Sequence, residues 1–306
     1  MTIKSLLAAW SLTIFTIAMV PAIAQEGQEQ EKPLTIVEGS HLTVSIKLGY
    51  ANLLVNSEKL KTTPGGLGMG VELCYTHFVS DHIGFHLGCD LSMYMSKYTM
   101  ASYTLQSSEP VQVWTNIERG ESMTVDADYR TTTENIVSDY TLTSVGIPVG
   151  LAFQGEHWYA VAGVKFNIPL KLRETSTYGK TETECVSIGN NAVSIPAEGA
   201  GVQHIEAVPY DCSARGNTFK PFFVTSLLEA GYRVGRERGD ALGIGVYVEF
   251  GFNECHPENS EPLVSRQDGK IVANPTLRSN AVQSLRMMNV GVKLQYDFSF
   301  RRPKKR

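Results

Sequence analysis

Large apolar residues occupy every second position in eight segments of the chain after residue 40. These segments cover 41–54, 66–79, 83–98, 140–153, 158–170, 221–234, 241–253 and 288–300. In the seventh segment, for example, Leu242 and Ile244 alternate with Gly243 and Gly245. A period of two is the signature of a β-strand whose two faces meet different environments. The pattern therefore predicts an all-β protein with eight main strands.

The gaps between these segments alternate between short and long. The short gaps lie near 80–82, 154–157 and 235–240, and the long gaps cover 55–65, 99–138, 171–219 and 254–284. Short turns at one end and long loops at the other are typical of transmembrane β-barrels of the bacterial outer membrane. The spacing therefore predicts an eight-stranded antiparallel transmembrane β-barrel with periplasmic ends and turns and long extracellular loops. Weak alternation over 123–130 also predicts that the third and fourth strands extend beyond the membrane as a hairpin.

A soluble β-sandwich or a lipocalin-type barrel is the alternative fold, with its apolar face inward. The polar faces of the segments are rich in Gly, Ser and Thr, whereas a solvated face carries more long Lys and Glu side chains. Aromatic residues also recur near the strand ends: Tyr50, Tyr75, Phe78, Phe153, Trp158, Tyr159, Phe222, Tyr232, Tyr296 and Phe300. Aromatic girdles of this kind mark the two interfaces of a membrane barrel. Both observations favour the membrane barrel.

The composition agrees with a barrel and gives no sign of nucleic-acid binding. The mean hydropathy of −0.10 does not exclude a membrane barrel, because only half of each strand faces lipid. The formal net charge is −4, and the one basic cluster is the tail at 301–306. We interpret that tail as a solvated segment or a contact with anionic lipid or cell-wall material.

Residues 1–24 have the features of a secretory signal peptide. Lys4 precedes an apolar stretch at 6–20, and Ala22 and Ala24 form an Ala-x-Ala cleavage pattern before Gln25. A membrane-spanning helix is the alternative, but the stretch is close to the lower length limit for a span. The predicted organisation is therefore a signal peptide at 1–24, a periplasmic linker at 25–38, the barrel at 39–300 and a basic periplasmic tail at 301–306.

Charged residues recur on the polar, inward-facing side of the predicted strands. Five are acids, four are bases and one is a histidine: Glu72, Asp90, Glu229, Glu249 and Asp297, then Lys47, Lys165, Arg233 and Lys293, then His86. Eight strands enclose an interior that side chains can just fill. Buried charges must be paired to persist. The sequence therefore predicts an ion network that plugs the barrel rather than an open pore.

The five cysteines allow a disulfide but show no metal motif. Cys74 and Cys89 lie within strands, whereas Cys185, Cys212 and Cys255 lie in long gaps. Export to an oxidising compartment favours a Cys185–Cys212 bridge, and Cys255 could replace either partner. Because no Cys-x-x-Cys or zinc-like Cys/His spacing is present, we expect no metal and no cofactor.

Three stretches of sequence carry a resemblance to a known group of proteins. They are SVGIPVGL at 144–151, YAVAGVKF at 159–166 and VGVKLQYDF at 290–298. In these stretches the chain resembles the small outer-membrane barrels of Bacteroidetes-type bacteria, a porin-family group with the architecture of the OmpA transmembrane domain. The resemblance implies that Tyr296, Phe298 and Phe300 form the signal read by the barrel-assembly machinery, although six residues follow Phe300.

Some eight-stranded outer-membrane barrels are lipid A-modifying enzymes that use a lipid-facing His and Ser near the outer rim. His77 has the lipid-facing parity but lies near a short turn, and no His–Ser pair is predicted at the outer rim. We therefore predict a non-enzymatic outer-membrane barrel that presents its loops for surface binding or envelope structure. A small-solute channel and, less favoured, a lipid A-modifying enzyme are the alternatives. The expected partners are outer-membrane lipid and lipopolysaccharide, the assembly machinery and an unknown extracellular ligand.

Overall fold

The computed structural model describes residues 39–56, 60–63, 66–116, 118–189, 191–196, 203–205, 208–213, 222–234, 240–254, 261–267, 270–282 and 284–300. The predicted signal peptide, linker and basic tail lie outside these residues. Within the described ranges, no helix is long and apolar enough to cross a membrane.

Fifteen β-strands and one short 3-10 helix make up the described part of the chain. The strands are β1 (Gly39–Asn56), β2 (Leu60–Thr63), β3 (Leu67–Phe78), β4 (Ile83–Asn116), β5 (Glu121–Gln154), β6 (Trp158–Thr177), β7 (Lys180–Ile188), β8 (Asn191–Pro196), β9 (Gln203–His204), β10 (Val208–Ser213), β11 (Phe223–Val234), β12 (Ala241–Phe250), β13 (Val264–Gln267), β14 (Lys270–Ala273) and β15 (Ser284–Ser299). The 3-10 helix covers Thr276–Arg278.

Eight of these strands form a closed antiparallel ring. The order is β1, β3, β4, β5, β6, β11, β12 and β15, and β15 pairs with β1 to close it. These are the eight segments that the alternating pattern marked, so the predicted eight-stranded antiparallel barrel is confirmed. Closure leaves no free edge in the ring, which removes the tendency of open sheets to pair with other chains.

The alternation sorts side chains between the outside and the inside of the ring. On β1, Ile46 and Leu48 are 59% and 56% exposed, whereas Lys47 between them is 1% exposed. The same contrast recurs around the ring, for example at Phe85 (exposed) and Asp90 (buried) on β4. An apolar outer band around a charged interior is the reverse of a soluble protein and is the arrangement of a transmembrane barrel.

Glycines on the inner face make room for large interior side chains. A Cβ added at Gly245 would lie 2.4 Å from the hydroxyl of Tyr159, and one at Gly231 would lie 2.5 Å from its ring. Tyr159 therefore lies across β11 and β12 only because both positions lack a side chain. This explains why glycine alternates with large apolar residues along β12.

The hairpin of β4 and β5 continues far beyond the ring. Its pairing runs to Asn116 and Glu121, and β7, β8 and β9 extend the sheet on the β5 side. We call the part formed by 101–116, 121–135, β7, β8 and β9 the projecting sheet. At about 3.3 Å per residue the hairpin extends about 50 Å past the ring, so the predicted extension of strands three and four is confirmed.

The buried face of the β4–β5 hairpin switches from one side of the strands to the other where the ring ends. Even-numbered side chains are buried up to Met100 on β4, whereas Tyr103 is the next buried one. On β5 the same change occurs between Ile136 and Thr133, and Asn135 between them has a positive φ of 51°. Asn tolerates this left-handed conformation better than most residues do. Asn135 thus lies at the point where the strand exchanges its covered and exposed faces.

Candidate functional site

The lumen of the ring holds an ion network built on three lysines. Nζ of Lys293 lies 2.6 Å from carboxylate oxygens of both Glu72 and Glu229. Lys47 also forms an ion pair with Glu72, and its Nζ lies 3.4 Å from Glu229 and from Glu249. All five side chains are buried. Their mutual pairing offsets the large cost of removing the charges from water.

The third lysine extends the network to the β4 and β6 side of the lumen. Nζ of Lys165 lies 2.6 Å from Glu249 and 3.3 Å from Asp90. The hydroxyl of Tyr94 accepts a hydrogen bond from Lys165 at 3.1 Å and donates one to Glu249 at 3.2 Å. Tyr94 was absent from the predicted network, although it shares the inward parity of Asp90 and could have been found by that signal.

The remaining predicted charges lie toward the end of the ring that carries the turns at 79–82 and 155–157, which we call the short-turn end. Nε of Arg233 lies 2.8 Å from Asp297, which also accepts a hydrogen bond from Thr43 at 2.6 Å. His86 lies 2.9 Å from the hydroxyl of Thr76 through Nδ1. The structure therefore places all ten predicted residues in one lumen.

Apolar layers lie on both sides of the ions. On the short-turn side, four side chains pack together: Phe78, Ala152, Val161 and Leu227. On the opposite side, which we call the long-loop end, a larger cluster includes Tyr98, Tyr140, Leu142, Leu277 and Met287. Between the layers, a cavity of about 10 Å³ borders His86, Arg233 and Lys293, which is room for about one water molecule.

A segment of the last long loop closes the long-loop end. We call residues 261–267 and 270–282 the strap. The backbone N–H groups of Thr276 and Leu277 donate to the carboxylate of Glu174 at 2.6 and 3.2 Å, and Ser176 donates to it at 2.6 Å. Tyr178 donates to the carbonyl of Asn274. Burial raises the pKa of Glu174, while these hydrogen bonds act in the opposite direction.

The predicted Cys185–Cys212 disulfide is not formed in the structure. Cys185 carries a free thiol that donates to the carbonyl of Ser187 at 3.3 Å. Its strand, β7, pairs with β5, whereas Cys212 lies on β10, which pairs with β6. The sequence pattern placed both cysteines in one loop, but the described parts of that loop form strands that pair with different neighbours. The side chain of Cys212 and all of Cys255 lie outside the described residues.

Glu72, Cys74 and His86 place potential metal ligands within 4.8 Å of one another. The carboxylate of Glu72 is already bound by Lys47 and Lys293. A cation at this point would therefore have to compete with two fixed ammonium groups. The expectation of no metal and no cofactor stays a prediction.

The structure reveals a Ser–His contact that sequence reasoning missed. Oγ of Ser40 lies 3.0 Å from Nδ1 of His77 and 2.6 Å from the hydroxyl of Tyr75, on the outer surface at the short-turn end. In Ser–His–Asp triads the serine faces Nε2, and Nδ1 faces the orienting carboxylate. Ser40 contacts the Nδ1 side, so this geometry gives a polar surface contact rather than an activated nucleophile.

The three aromatic residues of the predicted assembly signal lie on the outer face of the last strand. Tyr296, Phe298 and Phe300 are all exposed, and the rings of Tyr296 and Phe298 meet edge to face at 4.7 Å. This position agrees with an interfacial girdle. Their role in assembly stays a prediction.

Comparisons with known proteins found similarity only among solved structures. No family model matches the chain, and no curated protein matches it. Among solved structures, the attachment invasion locus protein Ail of Yersinia pestis shares 8% identity at a TM-score of 0.29, covering 86% of this chain and 100% of that one. The Ralstonia pickettii toluene transporter TbuX shares 9% at a TM-score of 0.20, with coverage of 89% and 92%. The translocator domain of autotransporter NalP from Neisseria meningitidis shares 7% at 0.20, with coverage of 97% and 98%. Similarity of this size assigns no function.

Proposed function

We propose that this protein is a non-enzymatic outer-membrane barrel that presents the projecting sheet and its long loops at the cell surface for binding. The observation that carries the proposal is the contrast between a filled lumen and a sheet built about 50 Å beyond it. A chain that needed only to cross the membrane could end β4 and β5 near Met100 and Ile136.

The outer-membrane location follows from the arrangement of polarity. The outer face of the ring carries an apolar band, and the ring satisfies its backbone hydrogen bonds through closure. The predicted signal peptide would export the chain to the periplasm, and the aromatic terminal strand would direct its insertion by the assembly machinery. Lipid and lipopolysaccharide would then surround the ring.

The structure disfavours the alternative of a small-solute channel. A solute would have to pass the strap, the aromatic layer and the three-lysine network in turn. Opening the network would separate buried ion pairs, and each uncompensated buried charge costs several kcal/mol. The filled lumen therefore favours a structural role for the ions.

The surface proposal can be tested by inserting a short epitope after Gly120, at the tip of the projecting sheet. A matched control carries the same epitope between Asp81 and His82, in a turn at the short-turn end. Antibody should label intact cells that carry the first insertion, and should label the second only after the cells are permeabilised. Labelling of the second insertion alone on intact cells would invert the orientation and overturn the proposal.

The channel alternative can be tested separately in planar bilayers. We expect no stable conductance from the purified protein, because buried ion pairs and packed aromatic side chains occupy the described part of the lumen. Reproducible single-channel steps that disappear when the protein is omitted would instead establish a pore.

A further inference from the structure

The projecting sheet has two edges that differ in how they are protected. On one side the outermost strand is β8, which has six residues and ends in Pro196. On the other side lies β4, whose edge pairs with β3 and then with β2 as far as Met100. Beyond Met100, no strand of the described residues pairs with that edge. Stable proteins usually protect a long open edge with lysines, prolines or a covering segment.

The open edge carries little of this protection. Residues 101–116 include no Lys or Arg, one acidic residue (Glu109) and one proline (Pro110). Pro110 removes a single N–H donor, so at most one hydrogen bond of a new ladder would be lost. The edge is therefore able to accept another extended strand.

The sequence of this edge is complementary to itself when it pairs antiparallel about Ser108. In that register, Tyr103 faces Val113 and Leu105 faces Val111, on the side of the sheet that buries Tyr103, although Val113 itself is 36% exposed. Cross-strand pairs of this type stabilise a sheet. The register runs from Ala101 to the residue before Asn116.

The polar positions fit the same register. On the exposed side, Thr104 faces Gln112, and Ser108 faces its own copy. On the covered side, Ser107 faces Glu109 of the second copy. The hydroxyl of Ser107 is buried and has no hydrogen-bond partner within the described part of the chain. A carboxylate opposite it would supply the missing acceptor.

The direction of the strands identifies where the second copy must be. In two copies within one membrane, β4 leaves the membrane in the same direction, so their edges would meet in parallel. In copies on two facing membranes, the strands run in opposite directions and meet antiparallel. We propose, on the basis of the proposed surface location, that this edge binds the same edge of a second copy on a facing membrane and so joins two membranes.

Disulfide trapping tests the register directly. The protein is reconstituted in phosphatidylcholine vesicles as the Ser108→Cys variant, and Gln106→Cys is the matched control on the same exposed face. We expect an oxidised dimer with Ser108→Cys, because each introduced cysteine faces its copy. In the control, the two cysteines would be about four residues apart along the ladder, beyond the reach of a disulfide. Equal cross-linking of both variants, or none of either, would overturn the proposal.

Vesicle clustering, measured by light scattering, tests the interaction itself. The test compares variants that carry like or opposite charges at facing positions. We expect the Thr104→Lys/Gln112→Lys and Thr104→Glu/Gln112→Glu variants each to cluster about tenfold less than the unmodified protein, because like charges face each other. Mixing the two populations should restore clustering, which a folding defect could not do. Clustering of each variant at the unmodified level, failure of the mixture to recover, or no clustering of the unmodified protein would overturn self-pairing.

The result is separable from the surface proposal. If the epitope after Gly120 is accessible on intact cells but vesicles do not cluster, only self-pairing fails. If trapping on intact cells joins Ser108→Cys to a different protein and never to its copy, the edge binds another partner and self-pairing fails as well. An inaccessible epitope would remove both proposals.

Discussion

The ring and the projecting sheet are two parts of one continuous sheet, and β4 and β5 run through both. In the ring, every strand has two neighbours, the apolar side chains face outward and the charges are buried in ion pairs. In the projecting sheet, the covered face mixes apolar side chains such as Tyr103 and Tyr129 with buried threonines, and most exposed side chains are polar. Beyond Met100, the outer edge of β4 pairs with no other strand of the described residues. The comparison shows that one alternating pattern gives opposite arrangements in two environments. The change occurs at Asn135.

The largest expected effect comes from removing one charge of the lumen. Lys165→Met leaves Glu249 and Asp90 buried with one cation fewer, so the free energy of unfolding should fall by about 3–5 kcal/mol. Urea unfolding of the vesicle-bound protein measures this. The control is Lys97→Met, which removes a half-exposed pair with Asp139 and should cost less than about 1 kcal/mol. Equal losses of unfolding free energy would show that the lumen ion pairs contribute no more to stability than the surface pair of Lys97 and Asp139.

A smaller effect is expected at the junction of the two parts. Asn135→Val places a β-branched residue at a φ of 51°, which should cost about 1–2 kcal/mol. Asn135→Gly should be close to neutral, because glycine adopts this conformation readily. The urea unfolding midpoints of the two variants measure this difference in stability. A valine variant as stable as the glycine variant would mean that the change of face does not need the left-handed residue.

The attachment of the strap should depend on pH through Glu174. Burial raises the pKa of the Glu174 carboxyl in the folded state. Protonation of Glu174 therefore stabilises the fold fully at a pH below the unfolded-state pKa, and this stabilisation is lost as the pH rises through the folded-state pKa. Hydrogen-exchange protection of the Thr276 and Leu277 amides, corrected for intrinsic rates, should therefore be greater near pH 4 than near pH 7. Glu174→Gln should remove this difference. A variant that keeps the full pH dependence would assign it to another group.

The smallest effect is expected on the exposed face of the projecting sheet. Arg130 and Glu184 form an ion pair at 3.2 Å, but both side chains are more than 40% exposed. Arg130→Ala should change the free energy of unfolding by less than about 1 kcal/mol, and less still in high salt. A loss comparable to that of Lys165→Met would contradict the contrast between the two parts.

Much of the ring could be predicted because its signal is local. Parity alone assigned Lys47, Glu72 and Lys293 to the inside, since adjacent residues of a strand must face opposite sides. The same parity places Tyr94 inside the ring, although a prediction based on charged residues alone does not include it. The change of face at Asn135 carried no comparable signal, because asparagine is common in loops and its left-handed conformation depends on the strands around it.

The sequence by itself determined the number of ring strands, the polarity of their two faces and the extension of β4 and β5. These properties depend on residues one or two positions apart, which the chain displays directly. Only the tertiary structure decided which charges pair, that the strap closes the long-loop end, that Cys185 is free and that no strand of the described residues pairs with the outer edge of β4 beyond Met100. Those properties depend on the register of strands distant in sequence, because ring closure, rather than local preference, determines which residues meet.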